Sequence, residues 1–185
     1  MSEQARAGPD LLALYDEALP AVYGYLLSRC GNAALAEDLT AETFLAAVTA
    51  VKKGTVIPNA PWLLGTARHK LVDHWRAMAR EQSHLHAVAV LAGPGAAGGD
   101  DDPWDERLDA LRAQQVLESL APQHRAVLVL RYLDDLSVPR VAEELGRTRH
   151  ATEALIVRAR AAFRRAYEDP DQPGPDQHGR SGGDD

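Results

Sequence analysis

The segment VLAGPGAAGGDDDPWDE, residues 90–106, limits the fold more than any other feature. It gathers Gly, Pro and Ala around four aspartates, Asp100, Asp101, Asp102 and Asp105, and offers too little apolar surface to bury a core. Chain of this composition behaves as a flexible spacer. The 185 residues are thereby split into two blocks, each of a size suited to one small core. The expectation is two domains, 10–86 and 108–168, joined by a flexible acidic linker over 87–107. A Pro/Gly/Asp-rich tail over 169–185 is expected to be disordered.

Both blocks carry the 3.6-residue period of helices, and neither shows the alternation of a strand. In LLALYDEALPAVYGYLLSRC the residues Leu11, Leu14, Tyr15, Ala18, Val22, Leu26 and Cys30 keep this spacing, with Asp10 as N-cap and Pro20 either kinking or splitting the helix. After a turn at Gly31 and Asn32, AALAEDLTAETFLAAVTAV repeats the pattern through Leu35, Leu39, Phe44 and Val48. Gly54 and Pro58 break the chain, and Asn59 caps a third helix with Pro61 in its first turn. In the second block a helix over 107–120 precedes one started by Pro122 and running to 136. Then Ser137 caps VPRVAEEL, Gly146 ends it in a left-handed conformation, and Thr148 caps a last helix from Arg149 to about Glu168. The fold class expected is all-α.

Net charge is −7, which at first argues against a nucleic-acid partner. The distribution reverses that inference. Residues 11–86 carry seven Lys or Arg against seven Asp or Glu, residues 87–109 one against six, and residues 110–169 ten against eight. Acidity is thus concentrated in the linker and tails, and each block is free to hold a basic face. The lone Cys30 precludes an internal disulfide and falls on an apolar helix face, where it reads as a core residue. No apolar run is long enough to span a membrane and the N-terminus lacks a signal-peptide pattern, so a cytoplasmic location is expected.

Two stretches carry recognition chemistry. VAEELGRTRHATEALIVRARAAFRR, residues 141–165, has the short helix, Gly-containing turn and long basic helix of a helix-turn-helix, whose second helix enters the major groove. Arg149 can donate twice to guanine and Glu153 can accept from cytosine. The same pattern also suits a helical hairpin with a merely solvated basic side. Earlier, Arg68, His69, Lys70, His74, Trp75, Arg76 and Arg80 follow the Lys52–Lys53 loop, a mixture of cations and aromatics that suits unpaired nucleic acid. Trp62 reads as core, and Trp75 as either core or stacking platform. His69 and His74 are five apart, and His84 and His86 lack nearby ligands, so no metal site is expected. No P-loop, G-x-S-x-G or HExxH is present, and Glu37 and Asp38, adjacent on a helix, diverge too far for acid/base work on one substrate. Neither enzyme activity nor a cofactor is expected.

Taken together, AEDLTAETFL (36–45), PWLLGTARHKLVDHWR (61–76) and residues 117–163 resemble, in that order, the extracytoplasmic-function sigma factors of the sigma-70 family. The resemblance implies a protein that binds core RNA polymerase, through the beta-prime clamp helices and the beta flap, and directs initiation at promoter DNA. It implies polymerase binding by Glu37, Asp38, Glu42 and Phe44. It implies minus-ten contacts from Lys52, Lys53, Asn59, Arg68, His69, Lys70, Trp75, Arg76 and Arg80. For the minus-thirty-five element the implied set is Arg147, Thr148, Arg149, His150, Thr152, Glu153 and Arg158. An anti-sigma factor is a further implied partner, and the linker is either a phosphate mimic or a plain spacer.

The chain departs from the family pattern at Ala41, His69, Glu153 and Leu155, where glutamine, asparagine, lysine and arginine are usual. Recognition of the upstream element is accordingly expected to depend on Arg147, Arg149 and His150, with Leu155 packing internally or against an inhibitor. Two rival functions are a self-sufficient helix-turn-helix regulator, and a polymerase-binding factor with a vestigial DNA helix.

Overall fold

The computed structural model describes residues 11–86 and 110–168. They form α1 (Leu11–Cys30), α2 (Ala33–Lys53), α3 (Ala60–His86), α4 (Ala110–Ser119), α5 (Pro122–Leu128) with a π-helical continuation (Val129–Leu133), α6 (Val138–Leu145) and α7 (Arg149–Glu168). Among the described residues there is no strand, and the architecture is all-α. Two compact units divide between His74 and Trp75, inside α3. The expected Asp10 cap, the linker 87–107 and the tail 169–185 lie outside the described residues.

In the first unit α1 and α2 form an antiparallel hairpin. Gly31, at φ 67°, makes the tight turn that a side chain would strain. Asn32 then caps α2, its carboxamide oxygen accepting the Leu35 N–H at 3.0 Å. Pro20 does not split α1, which is one helix burying Ala18, Val22, Leu26 and Cys30 at four-residue intervals.

The core face of α2 differs from the expected stripe. Ala36, Leu39, Thr40, Thr43 and Ala47 are buried, whereas Leu35, Phe44 and Val48 sit at its rim. The threonines are tolerated inside because each hydroxyl donates to the carbonyl one turn back, Thr40 to Ala36 at 2.6 Å and Thr43 to Leu39 at 2.7 Å. Small residues and self-satisfied hydroxyls let the neighbouring helix approach closely. Larger apolar groups close the edges, as Phe44 does against Tyr15 at 4.7 Å.

α2 stops at Gly54 in the left-handed region (φ 63°), and its N–H returns to the carbonyls of Ala50 and Val51. Asn59 starts α3 as expected, its side chain accepting the Trp62 N–H at 2.9 Å. Leu63, Ala67, Leu71 and Val72 then bury one side of that helix.

In the second unit, the helix expected over 122–136 remains α-helical only to Leu128. Asp134 N–H bonds to the Val129 carbonyl at 3.0 Å, an i→i+5 step that widens the last turn. Five consecutive residues, 126–130, are buried, so the segment is enclosed on every side until the wide turn delivers Tyr132 and Leu133 to the surface. Ser137 occupies the N-cap position of α6, yet its side chain makes no capping bond. Pro139 in the first turn lessens the deficit by removing one donor.

Gly146, at φ 60°, closes α6, with Arg147 N–H bonded to Ala142 O at 2.9 Å. Thr148 caps α7 through a 3.2 Å bond to Ala151 N–H. α7 lies against α4, α5 and α6 and buries Thr152, Leu155, Ile156, Ala159 and Phe163.

Candidate nucleic-acid interface

The turn between α6 and α7 consists of Gly146, Arg147 and Thr148, and it gives the helix-turn-helix its geometry. Burial of one face of α7 forces the opposite face outward. Arg147, Arg149 and His150 are exposed at the start of that helix, and Arg158 is exposed two turns on. Arg147 reaches Gln123 of α5 at 3.4 Å. Arg149 donates through Nε to Glu153 at 2.8 Å, across one turn. The two residues expected to read separate bases are thus paired with each other. Thr152 leaves the contact set altogether. It is fully buried and donates to Thr148 O at 3.0 Å, because it falls on the same stripe as Ile156 and Ala159. Leu155, 1% exposed, packs internally.

His124, half-buried on α5, has a pKa below its ordinary value. Burial penalises its charged form first, and the guanidinium groups of Arg158 and Arg165 add to the effect. Proximity to these two arginines marks a concentration of positive charge along α7 that extends beyond Arg158.

On the other candidate surface the helix geometry separates residues that adjoin in sequence. His69, Arg76 and Arg80 are exposed and recur at helical spacing along one side of α3, with half-buried Trp62 on the same line. Arg68 and Lys70 point to either side of it. Lys70 instead reaches α2 and pairs with Glu42 at 3.0 Å. Both line a shallow groove of about 500 Å³ with Lys53 and Thr55. Lys52 and Lys53 are exposed in the last turn of α2.

Trp75 takes the core role, one of the two open to it, whereas Trp62, expected as core, is only partly buried. Trp75 is 1% exposed and presents no face on which a base can stack, whereas Trp62 keeps part of its surface accessible. Spacing alone cannot separate these cases, since both lie on apolar-rich helical turns. The signal that distinguishes them is register with Leu63, Ala67 and Leu71, from which Trp62 is offset.

The acidic side of α2 is solvent-facing: Glu37 and Asp38 are exposed, and Glu42 is exposed apart from its bond to Lys70. Phe44 is half-buried against Tyr15. Leu45, 66% exposed, was not among the expected contact residues and widens the apolar part of this surface. Among the described residues no cluster of His, Cys, Asp and Glu is arranged for a metal, and no helix is long and apolar enough to cross a membrane.

Two helical units, the second carrying an exposed basic helix-turn-helix, define a class of DNA-binding regulatory proteins. Comparison with known proteins gives the family. The description "Sigma-70 region 2" matches residues 14–81, and "Sigma-70, region 4" matches residues 110–163. The chain belongs to the sigma-70 family, in its extracytoplasmic-function (ECF) group.

It is 31% identical to the ECF RNA polymerase sigma factor BldN of Streptomyces coelicolor, over 90% of this chain and 64% of that protein. It therefore spans just under two thirds of BldN. To the ECF RNA polymerase sigma factor SigL of Mycobacterium tuberculosis it is 32% identical, over 72% of this chain and 75% of SigL. Among solved structures, the sigma factor RpoE in complex with the anti-sigma factor NepR from Bartonella quintana shares the fold. Its TM-score is 0.50 at 20% identity, with 88% of this chain and 99% of RpoE covered.

Proposed function

We propose that this protein binds core RNA polymerase and directs promoter-specific transcription initiation, acting in the cytoplasm and catalysing no bond chemistry of its own. One observation carries the reading. The two sigma-70 matches occur in order, over 14–81 and 110–163, on either side of the acidic segment 90–106.

The division of labour follows from the surfaces. Glu37, Asp38, Glu42 and Phe44 on α2, extended by Leu45, meet the polymerase clamp. Lys52, Lys53, His69, Arg76 and Arg80, with Asn59 capping α3, hold the opened minus-ten strand, and Trp62 replaces Trp75 as its aromatic platform. Arg68 and Lys70 bound that surface on either side. Arg147, Arg149, His150 and Arg158 engage the minus-thirty-five duplex, where phosphate contacts fix register and base edges set preference. Polymerase supplies most of the binding surface, so a net-acidic chain needs only these local basic faces. RpoE has been solved with an anti-sigma factor, and a partner of that kind is proposed for this chain too.

The test is transcription from candidate promoters by purified core polymerase with and without the protein. Initiation appearing only on addition supports the proposal. Tight operator binding without polymerase, and no initiation, overturns it in favour of a self-sufficient regulator.

A further inference from the structure

The outward face of α7 carries chemistry that the arginines do not account for. Thr152, Leu155, Ile156, Ala159 and Phe163 are buried. At about 100° per residue, the row half a turn away is His150, Ala154, Val157 and Ala161. All four are exposed, and Val157, a branched apolar side chain, keeps 39% of its surface in solvent. Arg158 and Arg165 flank the row on one side, and Arg160 and Arg164 on the other. The result, from Ala154 through Val157 to Ala161, is an apolar stripe between two cationic rails. The major groove fits it, with phosphates along both edges and base edges along the floor.

Apolar contact with a base edge has one specific target. Only thymine presents a methyl group in the major groove, so A·T and T·A pairs alone reward an apolar side chain there. Arg149 reaches guanine only by giving up its 2.8 Å bond to Glu153, which weakens the competing contact. Resting on the function proposed above, we infer that Ala154 and Val157 read thymine methyl groups in the upstream promoter element. They are the base-selecting residues of α7, and the flanking arginines hold the phosphates.

The experiment uses the full chain with core polymerase to select duplexes from a library randomised across the upstream element. Each thymine of the enriched sequence is then replaced by deoxyuridine, which removes the methyl group and leaves base pairing intact. The expected loss is about fourfold at one or two positions, the equivalent of one buried methyl-sized group. Val157→Ala, at an exposed position that leaves the core untouched, is expected to abolish the effect at one of them, and Val157→Ile to retain it. An enriched element without thymine, or equal deoxyuridine effects in wild type and Val157→Ala, overturns the inference while leaving the sigma-factor reading in place. If the protein enriches no duplex with polymerase, that reading falls, and the inference with it.

Discussion

Removing the Glu153 carboxylate separates the stability role of the Arg149–Glu153 pair from its control over DNA recognition. The two groups are 2.8 Å apart with side chains 72% and 45% exposed, so solvent screens their attraction. An exposed i,i+4 pair contributes about 0.3–0.5 kcal/mol, and the order here, cation before anion, is the weaker one. Glu153→Ala is therefore expected to change thermal stability very little.

DNA binding responds more. Arg149 no longer surrenders a partner on reaching guanine, a contact worth about 1–3 kcal/mol when bidentate, and a carboxylate is removed from beside the phosphates. Affinity for an upstream-element duplex is expected to rise about twofold, with a stronger preference for guanine at one position. The gain shrinks at high salt, where charge repulsion is screened. Fluorescence anisotropy with the selected duplex and its guanine variants, at two salt concentrations, measures all three effects. Unchanged affinity and preference in Glu153→Ala, together with an equally silent Arg149→Ala, would refute the assignment.

Three further outcomes follow from positions in the second unit. Leu155→Ala, at a site 1% exposed, is expected to cost about 2–5 kcal/mol in chemical denaturation, reported by probes on α7. Thr152→Val preserves shape and loses the bond to Thr148 O, so it should reduce stability by about 1 kcal/mol while promoter preference stays unchanged. A shifted preference would return Thr152 to the groove. For His124 the folded pKa lies below the ordinary 6.5, so at pH below that value the unfolded chain takes up a proton that the folded chain refuses. Stability contributed by neutral His124 is complete above pH 6.5 and declines as pH falls beneath it. Denaturation midpoints of wild type and His124→Gln should run parallel at higher pH and diverge on acidification; curves parallel throughout would contradict the assignment.

Helix identity and boundaries were legible where backbone chemistry is local. Asn59, Gly54, Gly146 and Thr148 each solve a problem confined to one helix end, and each is where the sequence places it. Register around a helix was less legible. The buried face of α2 is set by which residues let α1 approach, and hydroxyls that bond to their own helix compete with larger apolar groups. Leu35, Phe44 and Val48 therefore lose the centre to Ala36, Thr43 and Ala47.

The same limit governed the sites. Thr152 and Trp75 are polar-capable residues inside motifs, but packing with Ile156 in one case and helix register in the other removes them from the surface. The π-helical turn after Leu128 has no simple sequence signal, since AVLVL is equally compatible with a longer buried helix. Ala154 and Val157 carry no mark in the sequence, since alanine and valine suit a buried helix face as well as an exposed one. Their meaning emerges only once the buried stripe fixes which way the helix faces.

The central claim is that the two units together confer promoter-specific initiation on core polymerase. Its most direct measurement is run-off transcription on a template carrying the selected upstream and minus-ten elements, using purified core polymerase with wild type or with Arg76→Ala/Arg149→Ala. Discrete transcripts are expected only with wild type, and strongly reduced ones with the double variant. Transcripts of equal yield without the protein, or binding of the template by the protein alone with no initiation on adding polymerase, would contradict the account.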